Sequence, residues 1–166
     1  MEAIFSRRSV RKYTDQPVSE ETVKELLAAA MNAPSAGNEQ PWHFIVIGDR
    51  ATLDQIPAFH PYAGMVKQAP VAILVCGDET LEKYKGFWVQ DCSAAVENLL
   101  IAAESLDLGA VWVGVYPEAE RVAHFRTLLA IPDHVIPLAL IPVGYPAEKP
   151  APANRFDPSR IHYNRW

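Results

Sequence analysis

Apolar residues in this chain recur with two different periods, and the alternation between them sets out the elements. Val23, Leu26, Leu27 and Ala30 fall at i, i+3, i+4 and i+7, which predicts a helix with one apolar face. Ser19 is placed to cap it, Glu20 and Glu21 lie near the positive end of its dipole, and Pro34 stops it. The strongest helical signal covers 89–106, where Cys92, Ala95, Val96, Leu99, Leu100, Ala103 and Leu106 form the stripe. Ala94, Ile101 and Ala102 add apolar surface outside it, so this helix is expected to be buried on more than one side, and a subunit interface follows. Gly109 is expected to end it. A third helix is predicted over 118–130 with Val122, Phe125, Leu128 and Leu129 inward, and one or two amphipathic turns over 1–6.

Short apolar runs at 43–47, 71–76 and 110–115 read as strands, the last two buried. The run 135–143 is broken by prolines and is therefore expected at an edge or a bulge. Residues 57–70, with three prolines, read as broken helix and loop. No repeat or linker divides the chain, which suits one domain over 1–166. Helices and strands alternate, yet no G-x-G-x-x-G and no P-loop follows any strand. A Rossmann pocket is thus unsupported, and a mixed sheet with helices packed on it is expected.

Composition narrows the function. The net charge of −5 leaves no basic excess to displace counterions, which argues against nucleic acid as a partner. The cations are unevenly spread: Arg7, Arg8, Arg11 and Lys12 crowd one end and Arg155, Arg160 and Arg165 the other, as if both ends built one anion site. Cys76 and Cys92 sit in apolar stretches and are expected as buried thiols rather than a disulfide. The five histidines share no metal-ligand spacing, so no metal is expected. No signal peptide is visible, and no apolar run approaches the roughly 18 residues that would span a bilayer, so the expected location is cytoplasmic, away from membranes.

Three segments carry candidate chemistry. Arg7-Arg8-Ser9-x-Arg11 puts three guanidinium groups and a hydroxyl within five residues, a set suited to a phosphate or a polarised ring edge. In an extended backbone Arg7, Ser9 and Arg11 point to one side and Arg8 to the other. The plainer alternative is a solvated basic turn. The loop from Pro34 to Trp42 offers Ser35, Asn38 and Gln40 as hydrogen-bonding groups, with Ala36 and Gly37 small enough to admit a flat ring. A helix-stop loop that satisfies its own backbone fits equally well. In Gly109-Ala110-Val111-Trp112-Val113-Gly114-Val115-Tyr116, the glycine at 114 marks either a close approach to the backbone or a bulge without a ligand. Tyr62 and Phe87 are further candidates for pocket walls, although packing is their more ordinary role.

Taken in order, Arg7-Arg8-Ser9-x-Arg11-x-Tyr13, the Pro-Ser-x-x-Asn-x-Gln-Pro-Trp loop at 34–42 running into His43-Phe44-Ile45-Val46, the long apolar helix and the Gly-Tyr-Pro-Ala-Glu-Lys-Pro run at 144–150 resemble the nitroreductase family of flavoproteins over essentially the whole chain. The resemblance implies an α+β fold, a mixed and largely antiparallel sheet flanked by helices, and an intertwined homodimer with FMN held between subunits. It also implies that the 144–166 tail extends over the partner. Carried residue by residue, Arg7, Arg8, Ser9 and Arg11 would contact the FMN phosphate, ribityl chain and N1/O2 side of the ring. Pro34, Ser35, Ala36 and Asn38 would line the ring from the partner subunit. Gly114 and Val115 would bring backbone amides near N5 and O4, and Arg155 would return to the phosphate. Ala153 stands where many relatives carry a second basic residue. The chain also looks shorter than better-known members, without the helices that cover part of their site, so a more open site is expected.

The activity so implied is hydride transfer from NAD(P)H through flavin N5 to an electron-poor small-molecule acceptor, a nitroaromatic or quinone, by a ping-pong scheme. FMN carries the chemistry and the protein supplies binding and electrostatics, so no catalytic side chain is required. Three other readings stay open: a specialised enzyme of the same fold (a dehalogenase or a flavin-fragmenting enzyme), a non-catalytic flavin sensor or electron store, and a phosphate-binding protein without flavin.

Overall fold

A computed structural model describes residues 1–166. Helix α1 (Glu2–Ser6) is a single short turn ahead of the arginine segment, and α2 (Glu20–Met31) follows. The Ser19 side chain accepts from the Thr22 amide at 3.1 Å, and Asn32 Nδ2 donates to Ala28 O at 2.8 Å, so both ends of α2 are satisfied by side chains. Val23, Leu26 and Ala30 are its buried face, as the periodicity predicts. Strand β1 (Trp42–Ile47) leads into α3 (Arg50–Gln55), a helix the apolar pattern does not announce. Asp49 makes it, accepting from the Thr52 amide at 2.8 Å and the Thr52 hydroxyl at 2.6 Å.

Strand β2 (Val71–Asp78) is buried along its whole length, which explains why its sequence runs apolar without alternation. Helix α4 (Trp88–Ser105) buries Cys92, Ala95, Val96, Leu99, Leu100 and Ala103. It does not end at Gly109: Leu106 is its C-cap, and Asp107 takes the left-handed conformation at φ 57°. Gly109 serves a different purpose, because a Cβ there would lie 2.6 Å from Val10 Cγ1. The expected strand over 110–115 is split into β3 (Gly109–Ala110) and β4 (Val113–Gly114). Helix α5 (Ala119–Leu129) and strand β5 (Val135–Gly144) complete the set.

The sheet order is β1-β2-β5, with β3 and β4 both on the far side of β5, and every strand pair is antiparallel. The one parallel element is an isolated bridge between Ser9 and Ala110. Strand β5 is therefore central, not an edge. Its prolines are accommodated at two irregularities: Pro137 pairs with Cys76 just past a register shift, and Pro142 lies opposite the break between β3 and β4. The Pro142 carbonyl accepts from Tyr13 Oη at 3.3 Å. Helices α2 and α4 cover one face of the sheet through Ile73, Val75, Ala139 and Ile141; α3 and α5 cover the other through Ala72, Leu74, Cys76 and Leu140. No helix is long and apolar enough to cross a membrane. Both cysteines are free and buried, 3.5 Å separating Cys92 Sγ from the Cys76 carbonyl, and burial pushes the Cys76 thiol up to about 12.

Candidate functional site

The two ends of the chain meet along one line. Val10 N donates to Ala110 O at 3.0 Å, which lays the arginine segment beside β3. Thr14 N then donates to Tyr145 O, and Ala147 N to Lys12 O, each at 2.9 Å, while Arg11 N donates to Glu148 Oε1 at 2.7 Å. The tail that follows is tied by Arg8, whose Nε reaches Ala151 O at 3.1 Å and whose Nη2 reaches Ala153 O at 3.4 Å. Arg8 Nη1 is taken up by Phe5 O and Arg7 O at 2.9 and 2.6 Å. This guanidinium is consumed by main-chain carbonyls. Arg7 points elsewhere, to Glu97 on α4 at 3.5 Å, and Arg11 is exposed and enters no ion pair. Arg155 stands exposed two residues beyond the Ala153 carbonyl that Arg8 holds.

The loop after Pro34 is a 3₁₀ turn with Gly37, Asn38 and Gln40 all at positive φ. Ser35 Oγ accepts from Gln40 N at 3.1 Å, and Asn38 Oδ1 accepts from Gln40 Nε2 at 2.9 Å, so the polar side chains brace the turn. Two acidic residues anchor it. Asp91, in the first turn of α4, accepts from Ala36 N at 3.0 Å. Glu39, 8% exposed, accepts from Lys83 N at 2.6 Å and Tyr84 N at 3.0 Å. The Tyr84 ring lies so close over Gly37 that a Cβ there would be 2.5 Å from it. In sequence the only sign of this anchor is one carboxylate between two amides. Nothing in a single chain joins this loop to the arginine segment: it meets α4 at Asp91, whereas Arg7 meets it at Glu97.

Gly114 occupies the free edge of β4. Along a strand, the N–H and C=O of one residue point to the same side and those of the next residue to the other. Val115 is turned inward, its N–H donating to Leu138 O at 3.0 Å within the sheet. Gly114 is turned outward: its carbonyl accepts from His60 Nε2 at 2.8 Å and from Arg121 Nη1 at 3.0 Å. Its N–H accordingly projects from the same edge, and a Cβ built on it would meet nothing within 4 Å. Of the two amides singled out from sequence, Gly114 offers an open donor and Val115 has spent its own. His60 is 1% exposed with Nδ1 unpartnered, and burial holds it below its ordinary value. Tyr62 and Phe87 are exposed rather than packed, Tyr62 carrying the Arg121 guanidinium 5.5 Å above its ring. His60, Arg121, Glu39 and Asp91 escape sequence reasoning, since each acts on the backbone of a distant segment.

The model of the nitroreductase family matches residues 4–60 and 57–145. The chain is 58% identical, over its full length and 87% of the relative's, to a Methanothermobacter thermautotrophicus protein provisionally named NADH dehydrogenase/NAD(P)H nitroreductase. A solved structure of the same provisional name from Parabacteroides distasonis superposes with a TM-score of 0.96 at 47% identity, covering 99% of this chain and 97% of that one. Another, a Desulfovibrio desulfuricans structure provisionally named nitroreductase and solved in complex with FMN, gives 0.86 at 36% identity, covering 99% and 96%. Since the match runs through the arginine segment, the 34–42 loop and the edge at Gly114 alike, this chain belongs to the nitroreductase family.

Proposed function

We propose that the chain is an FMN-dependent oxidoreductase that works as a homodimer and uses NAD(P)H to reduce an electron-poor small molecule, a nitroaromatic or a quinone, by a ping-pong scheme. The observation that carries this reading is the open edge at Gly114, reached along β3 and β4 from the segment that holds Arg7, Ser9 and Arg11. The donor set fits the cofactor. Guanidinium groups and a hydroxyl suit a dianionic phosphate and a polyol, and an unhindered amide suits the polar edge of a flat ring.

In this arrangement Arg155 holds the phosphate together with Arg7, whose 3.5 Å pair with the half-exposed Glu97 is weak enough to yield to a dianion, and Ser9 faces the ribityl chain. Arg11, with no anion of its own in the chain, sits at the N1/O2 side. Arg8 fastens the tail that carries Arg155. Gly114 donates to the N5/O4 edge, with Val115 fixing the strand behind it. When bound, FMN supplies a ring atom, N5, that takes a hydride from reduced nicotinamide and passes two electrons to the acceptor. The protein binds, orients and excludes water.

Pro34, Ser35, Ala36 and Asn38 complete the site from the partner. Two features favour a partner. The 34–38 loop stands apart from the arginines of its own chain. The tail beyond Pro150 is exposed almost throughout, with Phe156 74% and Trp166 99% exposed, an apolar surface that a lone chain leaves to water. The 144–166 segment is accordingly assigned to the surface of the second subunit, within one domain over 1–166.

The test is direct. The purified protein should absorb near 450 nm, sediment as a dimer, and bleach rapidly when mixed anaerobically with NADH or NADPH. A yellow protein that fails to bleach is a binding module, and a colourless one that takes up no FMN ends the reading.

A further inference from the structure

Two donors from separate segments converge on the Gly114 carbonyl: His60, from the turns after α3, and Arg121, from the first turn of α5. A carbonyl only accepts, so His60 must carry its proton on Nε2. Nδ1 is buried without a partner, which leaves the ring neutral. Burying an imidazole so completely for one main-chain bond is costly unless the position of that peptide matters. Arg121 makes the same choice. Its guanidinium forms no ion pair and instead lies over Tyr62, whose ring is itself open to solvent. A fixed positive charge is thus held at the rim of the edge from which the Gly114 N–H projects.

We propose that Arg121 is a positioning and potential-setting residue for the flavin: together with His60 it holds the Gly114 carbonyl, fixing the residue whose N–H, on the preceding peptide, faces the ring, and its charge stands at the N5/O4 edge opposite Arg11. This rests on the reading that FMN binds with that edge against Gly114. Hydride transfer moves two electrons and one proton from the reduced nicotinamide to the ring, so the bound cofactor gains one negative charge when no second proton follows. A cation fixed at either end of the ring then favours the reduced form. Arg11 and Arg121 act on the two ends.

The experiment compares wild type, Arg121→Gln and Arg121→Lys. Gln keeps a donor for the carbonyl and removes the charge; Lys keeps the charge without the planar fork. FMN binding to the apoprotein is followed by flavin fluorescence, the midpoint potential by dye equilibration, and folding by circular dichroism. Arg121→Gln should bind oxidised FMN within about threefold of wild type and reduced FMN on the order of tenfold more weakly, with the midpoint potential more negative in proportion. Arg121→Lys should return the potential toward that of wild type. Equal weakening of both forms, or an unchanged potential, overturns the proposal while leaving FMN binding itself intact. A wild-type protein that binds no FMN overturns the functional reading instead, and the proposal with it. Should Arg121→Gln fail to fold, Arg121→Met measured against Arg121→Lys tests charge and donor together, and equal potentials overturn the proposal.

Discussion

Asp91 and Glu39 are two buried carboxyl groups that hold the 34–42 loop by one oxygen each: Asp91 Oδ1 accepts from Ala36 N, and Glu39 Oε2 from Lys83 N and Tyr84 N. No N–H or O–H elsewhere in the chain reaches Glu39 Oε1 or Asp91 Oδ2. Burial raises Asp91, and the charges of Glu39 and Glu82 raise it further against the pull of the Ala36 amide. Burial also opposes ionisation of Glu39, but the Tyr84 and Lys83 amides, the neighbouring Asp91 carboxyl and the Lys83 charge outweigh it and hold Glu39 low. Of the two, Asp91 is the carboxyl that loses its proton less readily, and its Oδ1 pins the 34–42 loop to α4.

A pH dependence follows. A group raised in the folded state contributes stability that is complete below its unfolded value and fades as pH rises through the folded one. Asp91→Asn keeps an acceptor for the Ala36 amide and does not titrate. Thermal melting of the apoprotein as pH rises above the ordinary aspartate value should show wild type losing stability that Asp91→Asn retains. Parallel curves would mean that folding does not raise Asp91.

At Gly114 the prediction separates folding from binding. An added methyl meets nothing in the chain, and φ is ordinary there, so Gly114→Ala should melt with wild type. It fills the space assigned to the ring, an overpacking worth about 1–3 kcal/mol, or about 5- to 150-fold in FMN affinity. Titration of the apoprotein with FMN measures it; equal affinity would place the ring elsewhere.

Arg11 is the guanidinium of its segment with neither an ion pair nor a carbonyl partner, since Arg7 meets Glu97 and Arg8 is held by main-chain carbonyls. Arg11→Ala should lower the midpoint potential and slow hydride transfer in stopped-flow reduction, with little change in melting. A potential equal to that of wild type would dismiss Arg11 from the N1 side.

Removal of residues 151–166 takes away no buried side chain, so the core should keep its circular dichroism. It deprives Arg8 of two acceptors and the site of Arg155. The expected result is a folded monomer with weak FMN binding by sedimentation and titration; a dimer that stays yellow would show the tail to be dispensable.

In the core, Leu26 on α2 and Leu99 on α4 are both fully buried within the layer between the helices and the sheet. Leu99→Ala should cost about 2–5 kcal/mol in denaturant unfolding. A loss under 1 kcal/mol would mean that the cavity collapses freely.

How far the sequence speaks depends on the range of the interaction. Helix α2 was legible because Ser19, its periodic leucines and Pro34 lie within one stretch, and β2 because burial on both faces leaves an unbroken apolar run. The prolines of β5 suggested an edge because a missing N–H is a local fact. That Pro137 falls at a register shift and Pro142 opposite a gap between two other strands is not local. Helix α3 escaped because its start rests on an aspartate cap and its face on few residues. The arginine segment and the 34–42 loop were visible as residue types at close spacing. His60 and Arg121 were not, since what matters is one carbonyl that strand alternation turns outward, and register alone decides that.

The pairing of 145–148 with residues 11–14 also gives the arginine segment a non-local origin. The Lys12 carbonyl and the Arg11 N–H find their partners only in the Ala147 amide and the Glu148 carboxylate near the other end of the domain. Until 145–148 is in place, the N–H groups of Arg11 and Thr14 and the Lys12 carbonyl lack these partners, so the arginine segment is fixed by residues more than 130 positions away.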